Sequence, residues 1–121
     1  VAAVLERIGL HEAPNRIAGT LSHGEQRLIE IAMTLAGNPR VLLLDEPLAG
    51  MGNEESLGLA RLLKSLARDH AVLLIEHDMD FVFSVADRMT VMVEGGLLAS
   101  GPLAAIRADA AVQRAYLGAA S

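Results

Sequence analysis

The sequence predicts an α/β fold, with mainly parallel strands and flanking helices, followed by a C-terminal β-hairpin and helices. Three observations carry that prediction. Val41-Leu42-Leu43-Leu44 and Ala71-Val72-Leu73-Leu74-Ile75 are short, continuous apolar runs, the pattern of strands buried on both faces. Between them, Leu59, Leu62, Leu63 and Leu66 recur at helical spacing. Strand, helix, strand over this length makes a βαβ unit, so the strands are expected to run parallel with a right-handed crossover.

The remaining elements follow in order. Val1 to Ile8 has the pattern of a helix end, stopped by Gly9, and His11 to Gly19 reads as a polar connection holding Pro14 and Asn15. The first residue is Val1, inside an amphipathic pattern, which predicts a natural start further upstream. From Ser22 the pattern is helical, with Leu28, Ile31, Ala32, Leu35 and Ala36 on one stripe and Gly37-Asn38-Pro39 as the stop. Asn53 is expected to cap the next helix, with Glu54 and Glu55 in the first turn, where the helix dipole favours negative charge. Met79 to Ala86 reads as a short helix. Met89 to Glu94 and Leu97 to Ser100 read as strands around Gly95-Gly96, a pair suited to a two-residue hairpin turn. Pro102 is expected at the first position of a helix, and the chain ends in one or two short helices, to about Leu117.

Bulk properties exclude several function classes. The 121 residues suffice for one domain or part of one, and 52% are apolar. No apolar run approaches the roughly 18 residues of a membrane span. A net charge of −5 and 2% aromatic residues argue against direct nucleic-acid binding, which draws on basic surfaces or stacking aromatics. With no cysteine, thiol chemistry and Cys-based zinc sites are excluded, and no two histidines have the spacing of a zinc-binding helix pair.

Candidate chemistry lies at the strand ends. Asp45 and Glu46 close the first apolar run, at the edge of a parallel sheet where ligands bind. Neighbouring strand residues face opposite sides, so one carboxylate could hold a metal ion while the other orients a water. His77 follows the second run and comes near that edge if the strands are neighbours, where an imidazole could contact a phosphate oxygen or place a water. Two solvated acids and a surface histidine are the plainer alternative; His11 and His70 fit it. Leu21-Ser22-His23-Gly24-Glu25-Gln26 has the S/T-x-x-D/E pattern of a capping box before an apolar run. A helix start is also an anion site, and Gly24 would let an anion approach the backbone closely. A phosphate-cradling loop of pattern G-x-x-x-x-G-K-S/T is absent: the only lysine is Lys64, preceded by Leu63.

These pieces, in this order, resemble the C-terminal half of an ATP-binding cassette (ABC) ATPase, a P-loop-NTPase-like fold. Leu21 to Gln26 resembles the family signature LSGGQ, Val41 to Pro47 its Walker B segment, and His77 its switch histidine. Leu44-Asp45-Glu46-Pro47-Leu48-Ala49-Gly50-Met51-Gly52 and Ala115-Tyr116-Leu117-Gly118 look most like ATPase subunits of branched-chain amino-acid importers. The resemblance covers essentially the whole chain. It divides the chain into residues 1–21, the end of a helical subdomain and its connection, and 22–121, the C-terminal part of a nucleotide-binding domain.

The resemblance implies ATP and magnesium as ligands. Asp45 would hold magnesium through water, Glu46 would be the general base, and His77 would contact the γ-phosphate. Ser22, Gly24 and Glu25 would close over ATP held by a second ATPase subunit. The partners implied are that subunit, transmembrane permease subunits and, indirectly, a substrate-binding protein, with no nucleic acid. The location implied is peripheral, on the cytoplasmic face of the inner membrane. Two positions depart from the family: His23 replaces a signature glycine, where it could crowd the phosphate or add a positive contact, and Gly52 replaces an aspartate of the D-loop. The P-loop, adenine-stacking aromatic and glutamine loop would lie upstream of Val1, so the chain alone is expected to be inactive as an ATPase. It is also expected to leave an open sheet edge and exposed apolar surface. Urea or amide import, lipopolysaccharide export, a non-transport ABC module and a non-catalytic scaffold are the alternatives.

Overall fold

The structure, a computed structural model, describes Glu6 and residues 18–120. The expected helix end at Val1 to Ile8 and the connection from His11 lie otherwise outside the described residues. The chain divides into two compact units, residues 1–77 and 78–121.

In the first unit, a 3-10 turn, Ala18–Thr20, precedes helix α1, His23–Ala36. Its start is built as a complete capping box. Ser22 Oγ accepts the Glu25 N–H at 3.1 Å, and Glu25 Oε2 accepts the Ser22 N–H at 2.8 Å. At the other end the left-handed residue is Asn38, at φ 49°, while Gly37 stays right-handed. Asn tolerates this conformation better than other residues with a side chain.

Strand β1, Val41–Asp45, leads through a loop to α2, Asn53–Leu66, and then to β2, Ala71–Ile75. β1 and β2 pair parallel, from Val41 with Ala71 to Asp45 with Ile75. His70 helps set this register: its Nδ1 lies 2.6 Å from the Pro39 carbonyl oxygen, and the Ala71 N–H donates to the Arg40 carbonyl. His70, expected as a surface histidine, is instead half-buried with its ring against the backbone.

Two expectations change in this unit. The cap of α2 is Gly52, not Asn53. Gly52 is extended, and its N–H donates to Glu55 Oε2 at 3.3 Å. The long Glu55 side chain reaches back where Asn53, one residue into the helix, cannot. The strands, moreover, are buried on one face only. Leu42 is fully buried, but Leu43 is 71% exposed, and Val41, Leu43, Leu73 and Ile75 form a bare apolar face among the described residues. The core joins Leu42 to Ile31, Ala32 and Leu35 of α1 and to Leu59, Leu62, Leu63 and Leu66 of α2.

The second unit opens with α3, Met79–Val85, capped by the Asp78 carboxylate, which accepts the Phe81 N–H at 3.0 Å. Strands β3, Arg88–Val93, and β4, Gly96–Pro102, form an antiparallel hairpin. Its turn is Glu94-Gly95, not Gly95-Gly96: both central residues have positive φ, 49° and 78°, and Gly96 pairs with Val93. That is the left-handed geometry which suits the twist of a two-residue hairpin, and here a glutamate accepts one of its two positions. Pro102 still pairs with Arg88, so it caps helix α4, Leu103–Ala108, rather than opening it. Asp109 then caps α5, Ala110–Ala120, accepting the Ala111 and Val112 N–H groups. Phe81, Val82, Ile106 and Val112 form this unit's core. No helix among the described residues is long and apolar enough to cross a membrane.

Two substitutions probe these elements. Leu59→Ala, at a fully buried site, is expected to cost about 2–5 kcal/mol, read from the denaturant midpoint. Gly95→Ala, which puts a side chain at φ 78°, is expected to cost about 1–2 kcal/mol while Leu42 and its surroundings keep their NMR shifts.

Candidate active site at the ends of the parallel strands

The parallel register brings three side chains to one edge. β1 ends at Asp45, and the ladder continues one step as the Glu46 N–H donates to the Ile75 carbonyl at 2.8 Å. Glu46 itself is left-handed, at φ 45°. A residue with a side chain held there stores strain, on the order of 1–3 kcal/mol. Strand alternation therefore does not aim Glu46; the turn does. Its carboxylate Oε1 lies 3.3 Å from His77 Nδ1. Glu46 and His77, separated by thirty residues of sequence, thus meet as the sequence expected if the strands were neighbours.

Asp45 stands beside them, exposed, and makes no hydrogen bond or ion pair among the described residues. No group of three or more acids and histidines is gathered to hold a metal, among the described residues. This donor set fits magnesium, which keeps most of its waters and takes one or two carboxylates with substrate phosphates. It does not fit a cation that needs a cage of protein ligands.

Glu76 was not singled out by sequence reasoning. Its side chain is 2% exposed. One oxygen accepts the His77 N–H at 3.1 Å and lies 3.5 Å from His77 Nδ1; the other accepts the Leu48 N–H at 3.4 Å. Nothing in the local pattern Ile75-Glu76-His77 distinguishes a buried carboxylate from a solvated one.

The predicted phosphate clamp forms a second cluster in the same unit. Ser22 is exposed at the start of α1, Gly24 is buried, and Glu25 completes the cap. The Ser22 hydroxyl already donates to Glu55 Oε1 at 2.8 Å. A β-carbon on Gly24 would fall within the Glu55 carboxylate. A side chain at position 24 would have to displace the Glu55 carboxylate, the far end of a flexible side chain, from over the helix start. A phosphate reaching the Ser22 hydroxyl must take the place of Glu55. Glu55 entered the sequence reading only as a first-turn acid; its contact with Ser22, 33 residues away, has no local signal.

The two positions that depart from the family acquire neighbours. His23 is exposed and lies against Gly50: a β-carbon on that glycine, at φ 79°, would come 3.2 Å from the one on His23. Gly52 caps α2 through its N–H. The loop 46–52 thus touches both clusters, with Glu46 and Leu48 at the strand edge and Gly50 and Gly52 at the helix start.

Residues 1–49 match the ABC transporter family, and residues 97–121 match the branched-chain amino acid ATP-binding cassette transporter family. The chain is 46% identical over 116 residues to the high-affinity branched-chain amino acid transport ATP-binding protein BraF of Pseudomonas aeruginosa, covering 94% of this chain and 46% of that protein. It is 46% identical over 119 residues to LivG of Escherichia coli, named likewise, covering 97% of this chain and 47% of that protein. The chain spans about half the length of the curated relatives it matches. A crystal structure of an ATP-binding cassette of an ABC transporter in its ADP conformation superposes with a TM-score of 0.82 at 31% identity, covering 97% of this chain and 48% of that one. With an α/β architecture shared with that cassette and both family matches in order along it, the chain belongs to the ATP-binding cassette family, with its similarity to the branched-chain amino-acid group.

Proposed function

We propose that the chain supplies the signature, the catalytic carboxylate and the switch histidine of an ATPase that powers a branched-chain amino-acid importer. The observation that carries this reading is the meeting of Glu46 and His77, 3.3 Å apart at the sheet edge, beside the uncommitted Asp45. The likeness to BraF and LivG, branched-chain amino acid transport ATP-binding proteins, supports the choice of cargo.

Phosphoryl transfer needs positioning and electrostatic stabilisation more than covalent chemistry. The Glu46 carboxylate can accept a proton from a water aimed at the γ-phosphate. With both ring nitrogens protonated, His77 could donate its far Nε2–H to a phosphate oxygen. Asp45 would hold magnesium through water, where the ion would supply electrostatic stabilisation of phosphate charge. The Ser22 hydroxyl and the N–H groups at the start of α1 suit the phosphate of a nucleotide cradled by a second subunit. The proposed setting is a pair of such ATPases docked on permease subunits at the cytoplasmic membrane face.

In an ATPase of full cassette length carrying this sequence, Glu46→Gln is expected to lower turnover by about 10²–10⁴-fold while ATP binding persists. Steady-state ATPase and equilibrium nucleotide binding check this, and unchanged turnover would remove Glu46 from its role. Cells whose only copy carries Glu46→Gln are expected to lose uptake of radiolabelled leucine. Normal leucine uptake together with failed uptake of another solute would reassign the cargo.

A further inference from the structure

Among the described residues, Glu76 is the carboxylate at the sheet edge whose side chain is withdrawn from water, and it has no part in the proposed phosphoryl transfer. A carboxylate at 2% exposure must be satisfied by donors or pay a large desolvation cost. Two donors are backbone groups on different segments: the His77 N–H on β2's continuation and the Leu48 N–H in the loop that follows Glu46. The third group is the His77 ring, whose Nδ1 lies 3.5 Å from Glu76 Oε1 and 3.3 Å from Glu46 Oε1.

We propose that Glu76 is a positioning residue of this site, which holds His77 with its proton on Nδ1 and ties the Glu46 loop to the end of β2. A neutral imidazole carries one N–H and one lone pair. A lone pair on Nδ1 would face two carboxylates, so the proton belongs there. Nε2 is then left as the outward nitrogen of a ring whose side chain is 83% exposed. The neutral ring presents an acceptor at Nε2, suited to a water. It presents a donor to a phosphate oxygen only when a second proton is added. The Leu48 bond does the complementary work: it fixes the loop that carries Glu46, so base and histidine keep one separation. The catalytic value of this arrangement rests on the phosphate reading of His77; the arrangement itself does not.

The test uses the 121-residue chain labelled with ¹⁵N, in alkaline buffer. Long-range ¹⁵N–¹H correlation is expected to find His77 protonated at Nδ1 and bare at Nε2. The Leu48 and His77 amides are expected to exchange with solvent at least tenfold more slowly than the loop amide of Gly50. In Glu76→Ala the single tautomer should be lost and the Leu48 amide deprotected, whereas Glu46→Ala should keep the Leu48 protection. Nε2–H as the main tautomer of the unsubstituted chain, or an unprotected Leu48 amide, overturns the proposal without any variant. So does a folded Glu76→Ala that retains both signatures. No readout here needs nucleotide. If His77→Ala left ATPase turnover unchanged in a full-length cassette, the catalytic reading would fall while the tautomer result stood.

Discussion

Everything at the candidate site depends on the parallel pairing of β1 and β2. Because Asp45 lies opposite Ile75, the residues that follow each strand emerge side by side. One further ladder bond, from the Glu46 N–H to the Ile75 carbonyl, carries the pairing past the end of β1. The chain then turns through a left-handed glutamate directly before Pro47. Strain of that kind persists only where surrounding bonds over-determine it. Here the ladder bond precedes it, and the Ala49 N–H closes a turn on the Glu46 carbonyl. Leu42, fully buried as are Leu59 and Leu66 of α2, anchors the strand from which all this hangs.

Carboxylates organise both clusters, in two different ways. At the sheet edge Glu76 is buried and spends its oxygens on backbone donors from two segments. At the start of α1 Glu55 is more accessible and bridges the Gly52 N–H and the Ser22 hydroxyl. A helix N-terminus attracts negative charge, and in this structure a protein carboxylate satisfies it. The buried glycine at position 24 is the steric counterpart of that contact. Loop 46–52 joins the clusters, so a shift at one would be felt at the other through a few backbone bonds.

The second unit shows how local chemistry can place an element correctly and its corner wrongly. The alternation and the glycines around 88–102 announce a hairpin. The turn nevertheless falls on Glu94-Gly95, because register is decided by which pairs satisfy the ladder, and a bulge between Val91 and Met92 shifts it by one residue. Pro102 stays in the strand for the same reason, since its partner Arg88 holds it extended.

The sequence by itself determined the elements and the chemistry they could host. Helical spacing, apolar runs and the Ser22–Glu25 box are local patterns, and local geometry honours them. The candidates Asp45, Glu46 and His77 were legible because each ends or closely follows a strand, where the direction of the chain alone implies a shared edge. Gly52 in place of Asn53 as a cap was less legible, since the deciding contact comes from a side chain three residues on. That the Glu76 side chain is buried and that Glu55 lies on Ser22 came from the tertiary fold alone. Those facts depend on which distant groups share a space. Burial and long-range hydrogen bonds leave no periodicity in the chain, so a glutamate in water and a glutamate clamping a histidine are written with the same letter.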